Sequence, residues 1–411
     1  MLRDMTFRLI TLLMAVARVT FGTMADCACR RPSDLSALLA HRVRLAFEKL
    51  GPTFVKAGQL MSSTSGQLPK VWVDEMSHCR DDVAPAPWTS VSRLIEDELG
   101  DRVEAFASID PSPLAAGSMA QVHAARLVDG TPVVIKVQRP GLAKVLAGDV
   151  RLLRVAARLA VRVSAACSAA NAVALVDDFA AGLWEQISFR TEAANARRMA
   201  EALRSLPVRV PAVYESLTTE KILVMERLDG VGADDASIAD RSAVVEAVVS
   251  ALLVPALRDG VFHADMHPGN MLVLQDGTLG LLDFGVIGQM DDSVRSAAAD
   301  LLESLADRRF GDMVLALFRI VDPTGVDLMS LLPEVQCLVG KCLDKPIAEI
   351  DIRESVAAVL SLASRAGFAL PKSLMAFLKQ MVFISGLCQQ LDPAFDLLAD
   401  VAPILRQARA A

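Results

Sequence analysis

The chain has 411 residues, of which 53% are hydrophobic and 5% aromatic, and its formal net charge is −7. This length suits two lobes or domains, and the hydrophobic share is too high for a disordered chain. The charge lacks the basic footprint of nucleic-acid binding, so that class is set aside. The seven cysteines and five histidines do not cluster, which disfavours a zinc site and favours a reduced cytosolic setting.

The N-terminal stretch 5–24 is apolar but contains Arg8 and Arg18. Its uninterrupted apolar core, Leu9 to Ala17, is short of the about 20 residues that a spanning helix needs. No signal-peptide cleavage pattern follows. We therefore predict an amphipathic helix that docks on the protein itself or lies on a membrane surface. No later stretch reaches spanning length without charge, and the C-terminal tail is not expected to span a membrane.

Helical patterns dominate the first hundred residues. Helices are predicted over 34–49, 53–63, 71–81 and 88–99, with breaks at Leu50-Gly51-Pro52 and at the Ala-Pro repeat 84–87. On periodicity alone, residues 1–104 form a helical packing extension.

Strand signals begin near residue 105, at AFASI, PLAAGSMAQVHAARL and TPVVIKVQ, and Asp129-Gly130 makes a hairpin of the last two. The last strand carries Lys136 in a V-x-I-K pattern, which matches the strand lysine of kinases. A lone strand-end lysine is usually solvated, but this one follows a turn of small residues that lets backbone N–H groups approach a phosphate. The turn residues are Ala115, Ala116, Gly117 and Ser118.

Two helical regions follow, over 141–180 and 174–204. A kinase needs a helix glutamate to hold its strand lysine over the phosphates. Glu192 is the candidate, and Glu185, two turns earlier, is the alternative. The sequence between Lys136 and Glu192 is longer than one strand-to-helix step requires, so inserted helices are predicted there.

The segments VPAVYESLT and KILVMERL are predicted to be strands joined by a turn at Thr219-Glu220. In a two-lobed kinase the connector would follow at Met225–Leu228, where backbone groups can bind adenine. Beyond residue 238 the chain is expected to be helical apart from one hairpin. The predicted helices cover 240–258, 291–306, 310–320, 328–342, 350–366 and 371–390.

The sequence HADMHPGN, residues 263–270, is followed by Asp283-Phe284-Gly285. The intervening MLVLQDGTLGLL is predicted to form a hairpin, which would bring Asp265 and Asn270 close to Asp283. Two carboxylates and an amide suit Mg²⁺ and the phosphates it carries. The spacing is that of the kinase H-x-D-x-x-x-x-N loop and D-F-G. The alternative is a polar loop capping a hairpin, but the two strings in this order favour the kinase interpretation.

From about Leu50 to about residue 320 the chain resembles the UbiB/AarF family of ADCK-like atypical kinases. The resemblance is carried by LGPTFVKAGQLMSS, PLAAGSMAQVH, VIKVQRPG, EAANA, HADMHPGN and LLDFG. It implies an α+β, two-lobed protein-kinase-like fold with a helical N-terminal extension. The lobes would be a small β-sheet N-lobe with inserted helices, residues 105–228, and a mainly helical C-lobe, residues 229–411.

The resemblance also implies roles for single residues. Lys136 would contact the α- and β-phosphates of ATP and pair with Glu192, and Asp265 would occupy the catalytic-base position. Asn270 and Asp283 would hold Mg²⁺. The implied nucleotide-binding residues are Ala115, Ala116, Gly117, Ser118, Val122, Lys136, Glu226 and Leu228.

The K-x-G-Q helix, with Lys56, Gly58 and Gln59, would close the cleft where a peptide substrate binds in ordinary kinases. The site would then suit a small or lipidic partner of isoprenoid-quinone type, and protein phosphorylation would be blocked. The chain departs from the family at Gln186 and Ser188, where an acidic E-x-D pair is usual. It also has Gly117 where a third alanine is frequent.

Three functions remain open. The first is an ATP-binding, Mg²⁺-dependent phosphotransferase or ATPase that supports isoprenoid quinone or related lipid metabolism. The second is a non-catalytic, nucleotide-gated protein that binds a lipid or a partner protein, as the missing acidic pair and the apolar N-terminal helix suggest. A protein Ser/Thr kinase ranks last, because no A-P-E string follows D-F-G. We expect a cytoplasmic protein, with a peripheral position at the inner face of the plasma membrane as the alternative.

Overall fold

The computed structural model describes residues 2–30, 34–62, 69–79, 84–164, 171–235, 237–307, 309–320 and 370–395, with short stretches within 333–361 and 400–406. The helices predicted over 328–342 and 350–366 lie for the most part outside the described residues. The helix predicted over 174–204 is instead two helices, Ala172–Ile187 and Phe189–Leu203, because the backbone is extended at Ser188 (φ −81°, ψ 108°). The remaining predicted helices are present, with ends shifted by a few residues.

The described elements are numbered in chain order. The helices are α1 (Leu2–Arg30), α2 (Leu35–Leu50), α3 (Pro52–Ser62), α4 (Lys70–Met76), α5 (Trp88–Leu99), α6 (Leu142–Val163), α7 (Ala172–Ile187), α8 (Phe189–Leu203), α9 (Arg241–Arg258), α10 (Asp292–Ala306), α11 (Phe310–Ile320) and α12 (Lys372–Leu391). The strands are β1 (Phe106–Ala116), β2 (Ala120–Leu127), β3 (Pro132–Gln138), β4 (Val208–Arg209), β5 (Ile222–Glu226), β6 (Gly230–Gly232), β7 (Val261–His263), β8 (Met271–Leu274), β9 (Leu279–Leu281) and β10 (Ile287–Gln289).

The chain forms two compact units. The first comprises Met1–Thr191 and Tyr214–Met225, and the second comprises Glu192–Val213 and Glu226–Ala411. The chain therefore passes between them inside α8, directly before Glu192, again between Val213 and Tyr214, and a third time at the end of β5.

The first unit contains a four-stranded sheet in the order β1-β2-β3-β5. Alternate residues of β3, such as Val133 and Ile135, are fully buried, as a strand with one covered face requires. The cover includes α5, whose buried Val91, Ile95 and Leu99 recur every four residues and so share one helix face. The sheet that carries the small-residue turn is thus packed on a helix.

An ion pair fixes the N-terminal helix α1 within the first unit. The Arg8 guanidinium contacts the fully buried Asp149 carboxylate on α6 at 2.5 Å and donates to the Leu50 carbonyl at 2.6 Å. The Thr53 hydroxyl donates to the same carboxylate at 2.6 Å. A buried carboxylate needs such partners to offset its lost hydration. The predicted N-terminal helix is confirmed, and its Arg8 end contacts its own unit.

Two described helices are long and apolar enough to cross a membrane, by length and composition only. They are Arg8–Asp26 within α1, of which none is buried, and Lys372–Leu391, which is 44% buried. A core helix or an N-terminal signal meets the same criteria. By these criteria the N-terminal apolar stretch reaches spanning length, although its uninterrupted apolar core, Leu9 to Ala17, was predicted to be too short. Arg8 and Arg18 lie within the longer stretch.

The second unit is built around α9, which is buried on nearly all sides from Val244 to Leu257, as expected of a core helix. Its strands form a β4-β9-β8-β6 sheet and a β7-β10 pair. The predicted β8–β9 hairpin is confirmed, with Met271 opposite Leu281. Its turn places Gly277 at φ +83°, a conformation that favours glycine.

One strand prediction is wrong. VPAVYESLT, residues 210–218, does not form a strand but ends in a 3₁₀ turn at Glu215–Leu217. The Thr218 hydroxyl donates to the Tyr214 carbonyl at 3.0 Å and so closes the turn locally. The three-residue strands β6, β7 and β10 were not predicted, since so few residues show no periodicity.

Candidate active site

One buried histidine joins the H-x-D loop to the D-F-G segment. His263 ends β7 and is fully buried. Its Nδ1 accepts a hydrogen bond from the Asp265 backbone N–H at 3.1 Å, and its Nε2–H donates to the Asp283 backbone carbonyl. Burial lowers the pKa of His263, which favours the neutral imidazole. Only the neutral form, with its proton on Nε2, can make both bonds.

The structure brings Asp265, Asn270 and Asp283 together within the second unit. The Asn270 side-chain amide donates to the Asp265 backbone carbonyl at 3.0 Å, and the Asn270 backbone carbonyl accepts from the Leu282 N–H at 3.0 Å. The base of the hairpin is thereby closed next to Asp283. One Asp283 carboxylate oxygen accepts from the Gly285 N–H at 2.8 Å, which fixes its rotamer.

The donors at this site fit Mg²⁺. The Asn270 nitrogen is engaged with a carbonyl, which assigns the amide oxygen as the atom that would face a cation. Together with the Asp283 carboxylate it forms an oxygen-only set, and Mg²⁺ is commonly held by one or two such groups plus phosphate oxygens. Within the part of the chain that the structure describes, no cluster of three or more His, Cys, Asp or Glu side chains could hold a metal alone.

Helix α8 lies against the D-F-G segment. Glu192 is 1% exposed, and its Oε2 lies 3.9 Å from the position a Cβ would take at Gly285. Asn195 donates to the Phe284 carbonyl at 2.9 Å. Asn195 was not predicted as a site residue. The available signal was its position one turn after Glu192, on the same helix face.

Lys136 lies on β3 of the first unit, opposite Val122 on β2. Its ammonium is 5.5 Å from the ring centroid of the buried Phe189, within the range of a cation–π contact. Glu192 belongs to the second unit, so its pairing with Lys136 stays a prediction. The alternative, Glu185, is exposed on α7.

Of the four predicted turn residues, Ala115 and Ala116 instead end strand β1 opposite Val122 and Gln121, so the turn itself begins at Gly117. This turn is held by an arginine. The Gly117 carbonyl accepts from Arg139 Nε at 2.7 Å, and the same guanidinium donates to the Ala84 carbonyl at 2.8 Å. The Gly117 N–H donates to the Ala120 carbonyl at 2.8 Å, and Ser118 is 1% exposed. Arg139 thus links the turn to the segment that precedes α5. Arg139 was not predicted to be a site residue, although it lies in the quoted VIKVQRPG string.

The predicted connector begins at one of the crossings between the units. The Glu226 carboxylate pairs with Arg209 and accepts from the Ala212 N–H at 3.2 Å, so its side chain contacts residues of the second unit. Leu228 packs against Gly280, where a Cβ would lie 3.1 Å from the leucine methyl carbon. Adenine binding by Glu226 and Leu228 stays a prediction.

Comparison with known proteins identifies the family. Residues 78–314 match the ABC1 atypical kinase-like domain, and residues 335–396 match the UbiB helical domain. A protein of Azotobacter vinelandii named "Probable protein kinase UbiB" is 33% identical over 381 residues, which is 90% of this chain and 71% of that one. This chain belongs to the UbiB/ABC1 atypical kinase-like family. The kinase-like α+β fold is confirmed with it.

Two further proteins are similar to this UbiB-family chain. A Synechocystis sp. protein named "Uncharacterized protein sll0005" is 29% identical over 407 residues, covering 97% of this chain and 60% of that one. This chain thus spans under two thirds of that relative. A structure of Mycobacterium tuberculosis Rv3197 in complex with erythromycin matches with a TM-score of 0.62 and 18% identity, over 97% and 98% of the two chains. At this identity the likeness concerns the fold alone.

The K-x-G-Q helix α3 needs its glycine for close packing. A Cβ at Gly58 would lie 2.5 Å from Cys79 Sγ and 3.3 Å from a ring carbon of Phe47. Burial raises the pKa of the Cys79 thiol to about 11, so this sulfur is a packing group. Lys56 and Gln59 are half-buried on the same helix of the first unit. Their cleft-closing role stays a prediction.

Ser188 acts as a helix cap at its departure from the family pattern. Its hydroxyl donates to a Glu220 carboxylate oxygen at 2.8 Å and accepts from the Thr191 N–H at 3.3 Å, at the start of α8. Gln186 is half-buried near the end of α7.

Gln380 of α12 contacts the candidate catalytic loop and was not predicted. It accepts from the Met266 N–H at 2.8 Å and donates to the Ala264 carbonyl at 2.5 Å. The available signal was an amide among apolar residues at helical spacing.

Proposed function

We propose that this UbiB-family protein binds Mg·ATP and transfers or hydrolyses its terminal phosphoryl group. The observation that carries the proposal is the buried His263, whose two ring nitrogens fix the Asp265 backbone and the Asp283 backbone to one another. This bond network pre-organises the acidic groups before any substrate binds, which is the main source of catalysis in phosphoryl transfer.

In this mechanism Asn270 and Asp283 would hold Mg²⁺, which would neutralise part of the phosphate charge. Lys136 contacts the α- and β-phosphates, and the segment from Ala115 to Ser118 covers the nucleotide. The Asp265 side chain is 44% exposed and accepts the proton of an acceptor hydroxyl or of water. Glu192 orients Lys136.

The test is ATP hydrolysis and nucleotide-induced thermal stabilisation of the purified full chain, with and without Mg²⁺. Asp283→Asn keeps the shape but removes the negative charge, so turnover should fall about 100-fold or more. Lys136→Ala should weaken nucleotide binding. Asp276→Asn is the matched control, because Asp276 lies in the turn at the other end of the same hairpin. Unchanged Mg·ATP binding and turnover in Asp283→Asn would refute the assignment.

We further propose that the natural ligand or acceptor is lipidic, of isoprenoid-quinone type, and that α1 makes peripheral membrane contact. Exposed apolar side chains on α1 support this, among them Leu13 at 59%, Val16 at 60% and Phe21 at 70%. Such a face suits insertion at a lipid interface. Phe21→Asp should reduce co-sedimentation with anionic vesicles, whereas Val128→Asp, at an equally exposed apolar residue, should not. Quinone profiling of a deletion strain tests the pathway.

A second candidate is a nucleotide-gated binding protein without catalysis. It is favoured by Ser188, a helix-capping hydroxyl where the family usually has a carboxylate. Thermal stabilisation by Mg·ATP with no phosphate release, even with lipid vesicles present, would favour this candidate over the enzyme. Efficient phosphorylation of an added protein would instead support the protein-kinase alternative.

A further inference from the structure

The C-terminal helix α12 buries a stripe of side chains in the core of the second unit. Leu374, Phe377, Ile384 and Leu387 recur at helical spacing and are each at most 7% exposed. Gln380 falls in the same series and is fully buried. An amide in such a position costs free energy unless its polar atoms are paired.

Both ends of the Gln380 side chain are paired with one short stretch of backbone. Its oxygen accepts from the Met266 N–H at 2.8 Å, and its nitrogen donates to the Ala264 carbonyl at 2.5 Å. These two residues flank Asp265 and are nearly inaccessible to solvent, at 1% and 8% exposure. Water is therefore a poor substitute partner for either group.

A single amide is well suited to this task, because its NH₂ group donates and its oxygen accepts in one fixed plane. The other Ala264 backbone group, its N–H, donates to the Val286 carbonyl at 3.1 Å. The Asp265 N–H is bound by His263. With Gln380 in place, the backbone on both sides of Asp265 is fixed by groups distant in sequence.

We propose that Gln380 is a positioning residue for Asp265, by which the C-terminal helix α12 holds the candidate catalytic loop in its working conformation. The inference rests on the proposed phosphoryl-transfer function, and it adds a residue that lies outside the kinase-like region matched at 78–314. Gln380 touches neither substrate nor metal in this role. It acts through the backbone that carries the Asp265 carboxylate.

The test compares two variants of the full chain. Gln380→Leu keeps the apolar stripe but leaves the Met266 N–H and the Ala264 carbonyl unpaired. Ser385→Ala is the matched control, because Ser385 is buried on the same helix and its hydroxyl donates to the Val382 carbonyl of that helix. Gln380→Leu should lower kcat for Mg·ATP turnover about 10- to 100-fold, as a misplaced catalytic group does, with little change in nucleotide affinity. Ser385→Ala should change neither.

Gln380→Glu supplies a conservative rescue. A protonated carboxyl group supplies one O–H donor and one carbonyl acceptor, which can replace the donor and the acceptor that the amide uses here, and burial raises the pKa of a glutamate. The ratio of Gln380→Glu activity to wild-type activity should therefore be near one at about pH 5.5 and should fall as pH rises. Thermal unfolding across the same range checks that the fold is retained. A ratio that stays as low as that of Gln380→Leu at every pH in this range would contradict the positioning role.

Hydrogen exchange distinguishes a failure of this inference from a failure of the proposed function. Backbone amides of residues 264–270 should exchange about fivefold faster or more in Gln380→Leu than in the wild type and in Ser385→Ala. If the wild-type protein shows no turnover but this exchange difference appears, Gln380 still holds the loop in place, and the proposed phosphoryl-transfer function is refuted. If the wild-type protein turns over ATP and Gln380→Leu retains both kcat and exchange protection, the inference is wrong.

Discussion

Two loops carry most of the proposed chemistry, and they are fixed in different ways. The segment 115–118 in the first unit is held by the Arg139 guanidinium, which is half-buried and reaches two backbone carbonyls. The loop 264–270 in the second unit is held by His263 and Gln380, which are buried and uncharged.

The difference matches two separate tasks. A partly solvated arginine contact with a carbonyl can be broken at modest cost because water can replace the lost partner, which suits a turn that must admit and release a nucleotide. Buried neutral bonds are expensive to break because water cannot replace the lost partner, which suits a loop that must keep one carboxylate in place. The comparison predicts that changes at the first loop act mainly on nucleotide affinity, and changes at the second on kcat.

The largest effect is expected at Asp265. Asp265→Asn removes the proposed proton acceptor but retains the hydrogen bonds of His263 and Gln380 to the surrounding backbone. The kcat for Mg·ATP turnover should therefore fall about 10²- to 10⁴-fold. Nucleotide affinity, measured by equilibrium titration, should change little. Asp276→Asn serves again as the control. A large loss of affinity with unchanged kcat would place Asp265 in binding and break the comparison.

A moderate effect is expected at Arg139. Arg139→Met keeps most of the side-chain volume but removes the hydrogen bonds to the Gly117 and Ala84 carbonyls, so the Kd for Mg·ATP should rise about 5- to 10-fold. At saturating nucleotide, kcat should stay near the wild-type value. The control is Arg126→Met, since Arg126 is exposed on the same sheet and contacts only a turn carbonyl at Gly130. Equal effects of the two variants would contradict a specific role for Arg139.

A smaller effect, on stability, is expected at Gly58, where the K-x-G-Q helix is fixed by packing. Gly58→Ala places a methyl group in the space of Cys79 Sγ and should lower the free energy of unfolding by about 1–3 kcal/mol. Chemical denaturation measures it. Adding Cys79→Ala should recover part of the loss, giving a coupling free energy of about 0.5 kcal/mol or more. Strict additivity would show that the two residues do not meet.

The smallest effect concerns pH. Burial raises the pKa of Glu98, but hydrogen bonds from Lys221 and Thr219 outweigh this and hold the pKa below its ordinary value of 4.5. The folded pKa is depressed, so the stabilisation is present above that value and is lost as pH falls through the lower one. The Tm difference between wild type and Glu98→Gln should thus shrink from pH 7 to about pH 3. Glu96→Gln, exposed on the same helix, should show no such change.

The parts of the site that follow from local sequence were predictable. Asp276-Gly277 between two apolar runs specifies the β8–β9 hairpin, and the hairpin alone brings Asn270 next to Asp283. Likewise, the alternating residues of β3 locate Lys136 on a strand whose neighbours are buried. In both cases the information lies within a dozen neighbouring residues.

The parts that depend on distant contacts were not predictable. Gln380 lies 114 residues from Met266, and nothing in its own neighbourhood tells which backbone it will reach. Asn195 lies in the quoted EAANA string, but its bond to the Phe284 carbonyl depends on how α8 packs. The error at 210–218 has a local cause, because strand-favouring residues there compete with the Thr218 side chain, which closes a turn.

The contact between Gln380 on α12 and the candidate catalytic loop also determines when this loop can be fixed during synthesis. At about 5–20 residues per second, the 114 residues between Met266 and Gln380 take roughly 6–23 s to make. A nascent chain therefore carries its Asp265 loop for that interval with the Ala264 carbonyl and the Met266 N–H still awaiting their partner. An unfinished or prematurely terminated polypeptide would bear every residue of the kinase-like signature and yet lack the loop conformation. Under the proposed role of Gln380, the working conformation of this loop thus forms only after α12 has been made.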